Sequence, residues 1–288
     1  MPPRTATLIG LTAILMWSLL SVMTVATGAL PPFQLMAMTF ASGAAASFAI
    51  RPSAIRAVKQ PWPVMLVGVG GLFGYHALYF VALRLAPPAE AGLLNYLWPL
   101  LIVLLSSLLP GERLRAHHIV GALCGFAGTV LLLAGHIDLM ATPSQAAGFA
   151  AALAAAFVWA GYSVMSRRLR AVPTDAVAGF CLVTAVLAAL VHFAVETTAQ
   201  PQGVVAWLSI AALGLGPVGL AFFTWDIGMK RGDIRVLGAA SYATPLLSTA
   251  FLILAGYAQP SANIAIAAAL IAGGGLIAAK DMLGKKRS

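Results

Sequence analysis

Along this chain, long apolar runs alternate with short polar breaks. The runs cover residues 6–26, 33–50, 62–83, 89–109, 116–135, 146–164, 174–194, 204–225, 236–256 and 261–279. Each is close to the roughly 20 residues a helix needs to cross hydrocarbon. Backbone polar groups in hydrocarbon must be satisfied within the segment, so runs of this length predict helices. Ten such runs predict an all-α polytopic membrane protein, and the short breaks between them leave no room for an extramembrane domain. The first run follows Arg4 and ends in small residues, as a signal peptide does. It is longer than the usual h-region of about 7–15 residues. It also has a counterpart later in the chain, so it reads as a retained span.

The breaks sort the charges. Arg4, Arg51, Arg56, Lys59, Arg113, Arg115, Arg167, Arg168, Arg170, Lys230, Arg231, Arg235, Lys280, Lys285, Lys286 and Arg287 fall on one side, and Arg84 alone falls on the other. The positive-inside rule then puts both termini in the cytoplasm, and the cytoplasmic (inner) membrane is the expected location.

Composition agrees: 61% of residues are hydrophobic and 9% charged. A soluble domain has about 45–50% and about 25%, and a disordered chain is less apolar still. The net charge of +9 would suit a nucleic-acid partner only if basic runs were interleaved with exposed aromatics. None is, so no nucleic-acid partner is expected and the charge marks topology. Cys124 and Cys181 lie inside apolar runs without metal-ligand spacing. They read as core residues, with no metal and no disulfide framework expected.

The chain repeats itself. Gly68-Val69-Gly70-Gly71 matches Gly214-Leu215-Gly216-Pro217 at an offset of 146. The same offset carries Tyr79 to Trp225, Gly92 to Gly238, Tyr96 to Tyr242, Pro99 to Pro245 and Gly128 to Gly274. Trp17 and Ser21 match Trp159 and Ser163 at an offset of 142. Residues 1–139 therefore recur as residues 140–288, with five runs in each half. Five is odd, so the second half enters the membrane from the opposite side. Inverted halves are the architecture of many secondary transporters, with substrate near the midplane between them.

Five-plus-five inverted spans, the run Asn95-Tyr96-Leu97-Trp98-Pro99 in the fourth span and Gly111-Glu112 after it resemble the drug/metabolite transporter superfamily. Within it the chain resembles the EamA-type exporters, and the YddG-type amino acid exporters most of all. The resemblance implies export of aromatic and other neutral amino acids. Glu112 has Ala258 as its counterpart and reads as a loop or cap residue.

No acid and no Lys or Arg lies mid-run, where ion-coupled pumps usually place them. His76 is the only ionisable side chain well inside a run, tyrosines apart. Pro99 and Pro245 lack an N–H, which frees the carbonyls of Asn95 and Ser241. Broken backbone at membrane depth is tolerated where it lines a cavity or is buried in protein. Asn95, Trp98 and Pro99 share a helix face, and Tyr96 lies about 100° away.

The expected cavity is lined by Trp17, His76, Tyr79, Asn95, Tyr96, Trp98, Pro99, Trp159, Ser163, Ser241, Tyr242 and Pro245. Depth along the spans makes Tyr79 and Tyr96 an outer gate and Trp225 with Tyr242 an inner gate. Trp17 and Trp159 would flank the substrate, although core packing is the rival reading for Trp17, Trp98 and Trp159. Trp62 and Trp207 fit an interfacial belt. Gly70-x-x-x-Gly74 and Gly121-x-x-x-Gly125 predict close helix approach, and Gly68-x-Gly70 lacks the strand and Lys of a phosphate loop.

Such a site suits a neutral or zwitterionic molecule. An ammonium would meet a freed carbonyl or an aromatic face, and a carboxylate would meet Asn95, Tyr96 or Ser241. The expected function is a secondary transporter or facilitator exporting neutral, preferably aromatic, amino acids by alternating access. It would be passive or weakly proton-coupled through His76. Another small neutral or amphipathic metabolite or drug is the alternative cargo. No G-x-x-x-x-G-K-[ST], H-E-x-x-H or G-x-S-x-G occurs, which speaks against ATP drive and against an intramembrane enzyme. A channel would want a filter or charge-ring motif. The expected partners are amino acids and the lipid bilayer, with no cofactor. One chain holds both halves, so a monomer is expected to suffice.

Overall fold

The computed structural model describes residues 1–111, 113–133, 143–254, 256, 259 and 261–281. Glu112, Asp138, Ala258, Lys285, Lys286 and Arg287 lie outside the described residues. Every regular element described is helical. In chain order these are α1 (Pro3–Ser18), α2 (Leu20–Ala26), α3 (Pro32–Ile50), α4 (Trp62–Val69), α5 (Tyr75–Leu85), α6 (Pro88–Asn95), α7 (Trp98–Leu105) and α8 (Ala116–Leu133). There follow α9 (Pro143–Arg168), α10 (Ala176–Val195), α11 (Gly203–Leu215), α12 (Ala221–Arg231), α13 (Ile234–Ala240), α14 (Ala243–Leu254) and α15 (Ala262–Ala278). Eight helical stretches are long and apolar enough to cross a membrane. The two others, α8 and α15, are apolar but shorter. Large apolar side chains such as Trp62, Phe193, Val204 and Leu254 face outward. An apolar exterior on apolar helices makes this a multi-pass membrane protein.

Local sequence sets the helix ends. Pro3, Pro32 and Pro88 open α1, α3 and α6, where a missing N–H costs nothing. Asp233 caps α13 by accepting from the backbone N–H of Arg235 and Val236, and Ser261 caps α15 through Ile264. Gly28 stops α2 at φ 75°, a conformation glycine adopts without strain.

Four of the long stretches are interrupted in a matched way. Between α4 and α5, Gly70–Gly74 forms a π-helical turn, and Gly216–Leu220 does the same between α11 and α12. Pro217, without an N–H, cannot make the ordinary helical bond there. Tyr96–Leu97 separates α6 from α7, and Ser241–Tyr242 separates α13 from α14. The expected breaks at Pro99 and Pro245 are present. The expected free carbonyl at Ser241 is not, because it accepts from the Thr244 N–H at 3.0 Å.

Packing pairs elements from the two halves of the chain. The most extensive contacts join α8 to α15, α3 to α10, α1 to α12 and α5 to α9. Gly121 and Gly125 on α8 allow this closeness, since a Cβ on either would collide with α15 or with Tyr242. Gly70 and Gly74, expected to do the same, have open surroundings or ordinary contact. Gly68 and Gly71 do it instead, against Phe180 and Tyr162.

The ends of the bundle differ. At one end Arg51 pairs with Asp175 at 3.0 Å and Arg115 with Asp281 at 2.9 Å. There Arg235 also donates to the Arg113 carbonyl and Arg167 to that of Gly232. This is the basic end. At the opposite end Glu196 accepts from Arg84, from the backbone N–H of Phe33 and Gln34, and from His192. Glu196 thereby serves as an N-terminal cap for α3.

Candidate functional site

A cavity of about 250 Å³ lies inside the bundle. Its walls come from Trp17 and Leu20 of the first stretch, Tyr75, His76 and Tyr79 of α5, Asn95, Tyr96 and Trp98, and Trp159 of α9. Pro217, Val218, Phe222, Thr244 and Ser248 complete the lining. The volume sits just below the usual range of about 300–1,000 Å³ for small-molecule pockets.

Three tryptophans of the lining, Trp17, Trp98 and Trp159, form its floor, and a fourth, Trp225, packs against them from outside the lining. Trp17, Trp98, Trp159 and Trp225 come from four different helices, and every pair of rings has centroids 5.0–6.5 Å apart. Two of the indole N–H groups find protein partners, as burial favours. Trp17 Nε1 donates to the Pro217 carbonyl at 3.0 Å, which the π turn presents. Trp225 Nε1 donates to Ser163 Oγ at 3.1 Å. Trp225 is 0% exposed and closes the cavity toward the basic end. Leu20, Tyr79 and Ser248 lie farther along their helices toward the Glu196 end, so the cavity extends that way.

The walls are neutral and aromatic, with a few polar atoms. Tyr75 and Tyr79 stack at 6.1 Å with 13° between their planes. His76 donates from Nδ1 to the Leu72 carbonyl at 2.7 Å, leaving Nε2 as its second polar atom. Phe40 and Tyr75 hold its ring edge-on at 5.3 and 5.1 Å. Asn95 Nδ2 donates to the Tyr75 hydroxyl at 3.0 Å. Asn95 Oδ1 and Thr244 Oγ1 are buried without a hydrogen-bond partner among the described residues. A buried polar atom left unpaired costs about 1–3 kcal/mol, so both are ready to receive a ligand's polar groups. Asn95 Oδ1 suits an ammonium, and the Thr244 hydroxyl suits either a donor or an acceptor.

Trp17, His76, Tyr79, Asn95, Tyr96, Trp98 and Trp159 thus meet at one cavity. The remaining expected residues do not line it. Ser163 lies beneath the floor, bonded to Trp225. Ser241 is fully buried and donates to the Leu237 carbonyl of its own helix. It is therefore no donor for a carboxylate. Tyr242 packs among Val103, Ala122 and Ile271, and its hydroxyl accepts from the Leu100 N–H at 3.2 Å. That bond serves the first turn of α7, whose donors have no helical acceptor. Pro99 and Pro245 are buried in packing outside the cavity. Of the expected shared face, Asn95 and Trp98 both reach the cavity across the break at Tyr96–Leu97, and Pro99 does not.

Tyr75, Phe222, Thr244 and Ser248 escaped the sequence reading. The 146-residue offset leads from His76 to Phe222 and from Trp98 to Thr244, so the repeat itself carried a signal for two of them. A further correction concerns charge. The eighth run was ended at residue 225, but α12 continues to Arg231, so Asp226 and Lys230 are buried within the stretch Gly203–Arg231. Away from the cavity, His117, His118 and Asp281 bring three ligand-capable atoms within 4.8 Å, with Arg115 bonded to the same carboxylate.

Comparison with known proteins supplies the context. A relative from Ancylobacter novellus, called aromatic amino acid exporter YddG, is 56% identical over 96% of this chain and 98% of its own. Relatives of the same name from Salmonella typhimurium and Escherichia coli are 29% and 28% identical, over 88% and 96% of this chain and 89% and 97% of theirs. A solved crystal structure with 55% identity superposes at a TM-score of 0.93, covering 99% of this chain and 100% of that one. Residues 4–134 and 146–280 each match the EamA-like transporter family. The chain belongs to the EamA-like transporter family.

Proposed function

We propose that this transporter exports neutral amino acids, with aromatic ones preferred, across the cytoplasmic membrane by alternating access. The observation that carries the reading is the cavity. It is neutral, walled by tryptophan and tyrosine, and equipped with two unpartnered polar atoms at Asn95 and Thr244. Aromatic walls accept an apolar ring, and the polar atoms accept the ends of a zwitterion. The relative named as an aromatic amino acid exporter supports it across nearly the full chain.

The proposed topology has ten spans, with α8 and α15 counted among them, as two inverted halves at residues 1–139 and 140–288. The paired π turns, the paired breaks and the cross-half packing support this arrangement. So do the two separate family matches. The basic end faces the cytoplasm by the positive-inside rule, so the cavity extends toward the outside. A monomer is sufficient, because both halves contribute to one cavity.

The test is transport by the purified protein in liposomes, using labelled tryptophan, phenylalanine, threonine and lysine. Tryptophan and phenylalanine are expected to be carried and to compete, with lysine excluded. Indifference to all four overturns the amino-acid reading. Passive facilitation is expected, so a pH gradient that strongly concentrates tryptophan contradicts that part.

A further inference from the structure

A second, smaller pocket lies below the cavity on the same three spans. Along α9, Trp159 lines the cavity, and Tyr162 and Ser166 line the pocket. Along α12, Phe222 lines the cavity, and Asp226 and Lys230 line the pocket. In the third span His76 belongs to the cavity and Gly68 to the pocket. The i, i+3/i+4, i+7/i+8 spacing places both sets on one face of each helix. The two spaces are therefore stacked along one path. Tyr162 separates them, its ring pressed on Gly71 and lying 5.3 Å from that of Trp159.

The pocket holds an ion pair. Lys230 Nζ lies 2.8 Å from Asp226 Oδ2, and their side chains are 5% and 3% exposed. Thr174 donates to the same Oδ2 at 2.7 Å, and Lys230 also donates to the Val172 carbonyl at 2.9 Å. Both bonds to the carboxylate fall on Oδ2, so Oδ1 keeps its accepting capacity. Lys230 has used two of its three donors. The Tyr162 hydroxyl is buried with no partner among the described residues. An acceptor, a cationic donor and a hydroxyl thus remain open around one pocket. Apolar residues in place of a buried ion pair usually cost no stability, and ionisable groups inside a membrane mark substrate or ion paths.

We propose that this pocket is a second station for the zwitterionic head group of the amino acid, used when the basic end opens. The ammonium meets Asp226 Oδ1, and the carboxylate accepts from Lys230 and Tyr162. At about 10 Å³ the pocket is shut here, which fits a bundle whose cavity extends toward the other end. This inference rests on the amino-acid reading above.

The test measures tryptophan KM separately from each face in liposomes holding the full-length protein in one orientation. The variants are the double exchange Asp226→Leu with Lys230→Met, which leaves no orphan charge, and Tyr162→Phe. The double variant is expected to raise KM at the basic face about tenfold or more and to leave KM at the other face unchanged. Tyr162→Phe keeps the ring and removes one hydroxyl. It is expected to raise KM at the basic face about fivefold, and it decides the matter should the double variant fail to fold. Unchanged basic-face KM in a folded double variant, or in Tyr162→Phe, overturns the proposal and leaves the pair a purely structural tie. Failure of the unaltered protein to carry tryptophan or phenylalanine overturns the amino-acid reading, and this station with it.

Discussion

Tyr79 and Tyr96 border the cavity, whereas Trp225 and Tyr242, which stand 146 residues later, are packed away from it. Equivalent positions thus hold aromatic rings in opposite circumstances. The rings of Tyr79 and Tyr96 border about 250 Å³ of open space. At the basic end the matching rings close up, with Trp225 on Ser163 and Tyr242 on the first turn of α7. The difference lies less in residue type than in which side of the bundle is shut. In the proposed arrangement of two inverted halves these roles exchange, as alternating access requires.

The largest expected effect separates Trp225 from Tyr79. Trp225→Ala empties a fully packed site and should cost about 3–5 kcal/mol. Tyr79→Ala removes a ring that already borders open space and should cost about 1 kcal/mol. Thermal unfolding of both variants checks this, and equal losses would erase the contrast. Next in size is the tyrosine pair. Tyr242→Phe strands the Leu100 N–H in a buried place and should cost about 1–3 kcal/mol. Tyr96→Phe should leave stability within about 0.5 kcal/mol and change only the KM for substrate.

The smallest effect tests the basic end alone. Burial works against the Asp233 carboxylate, but its bonds to the Arg235 side chain and to the backbone N–H of Val236 and Arg235 outweigh this. Together they hold its pKa below 3.8. A depressed carboxylate stabilises the fold at neutral pH, and the contribution fades as pH falls through the folded value. Asp233→Asn should therefore be weaker than the unaltered protein by at most about 1 kcal/mol at pH 7. The gap should narrow below pH 3.8, as read from thermal unfolding against pH. A gap that does not move with pH would assign the effect to geometry and not to charge.

The helical stretches were legible because hydrocarbon demands about 20 apolar residues per crossing: a helix or helix pair overlaps each expected run, and eight of these stretches are long and apolar enough to cross a membrane. The breaks at Tyr96–Leu97 and Ser241–Tyr242 were legible through Pro99 and Pro245. Which side chains reach the cavity was only partly readable. Pro99 and Ser241, expected at the cavity, are buried in packing instead, because helical spacing near a break does not fix which side chains reach the cavity. Symmetry of sequence also made Tyr242 look like Tyr96, yet the two ends are packed differently. Asp226 and Lys230 were missed because charge looks like the end of a span. Here they pair with each other and stay within it.

The most direct test compares one position from each region. Thr244→Cys lines the cavity and Ser166→Cys the closed pocket, in a background with Cys124→Ala and Cys181→Ala. A membrane-impermeant maleimide is applied to each face of oriented liposomes during tryptophan transport. Alternating access predicts that position 244 is labelled only from the face at the Glu196 end and position 166 only from the basic face. It also predicts that trapping one state suppresses labelling at one position while raising it at the other. Labelling of both positions from the same face, or of both at once in a trapped state, would contradict it.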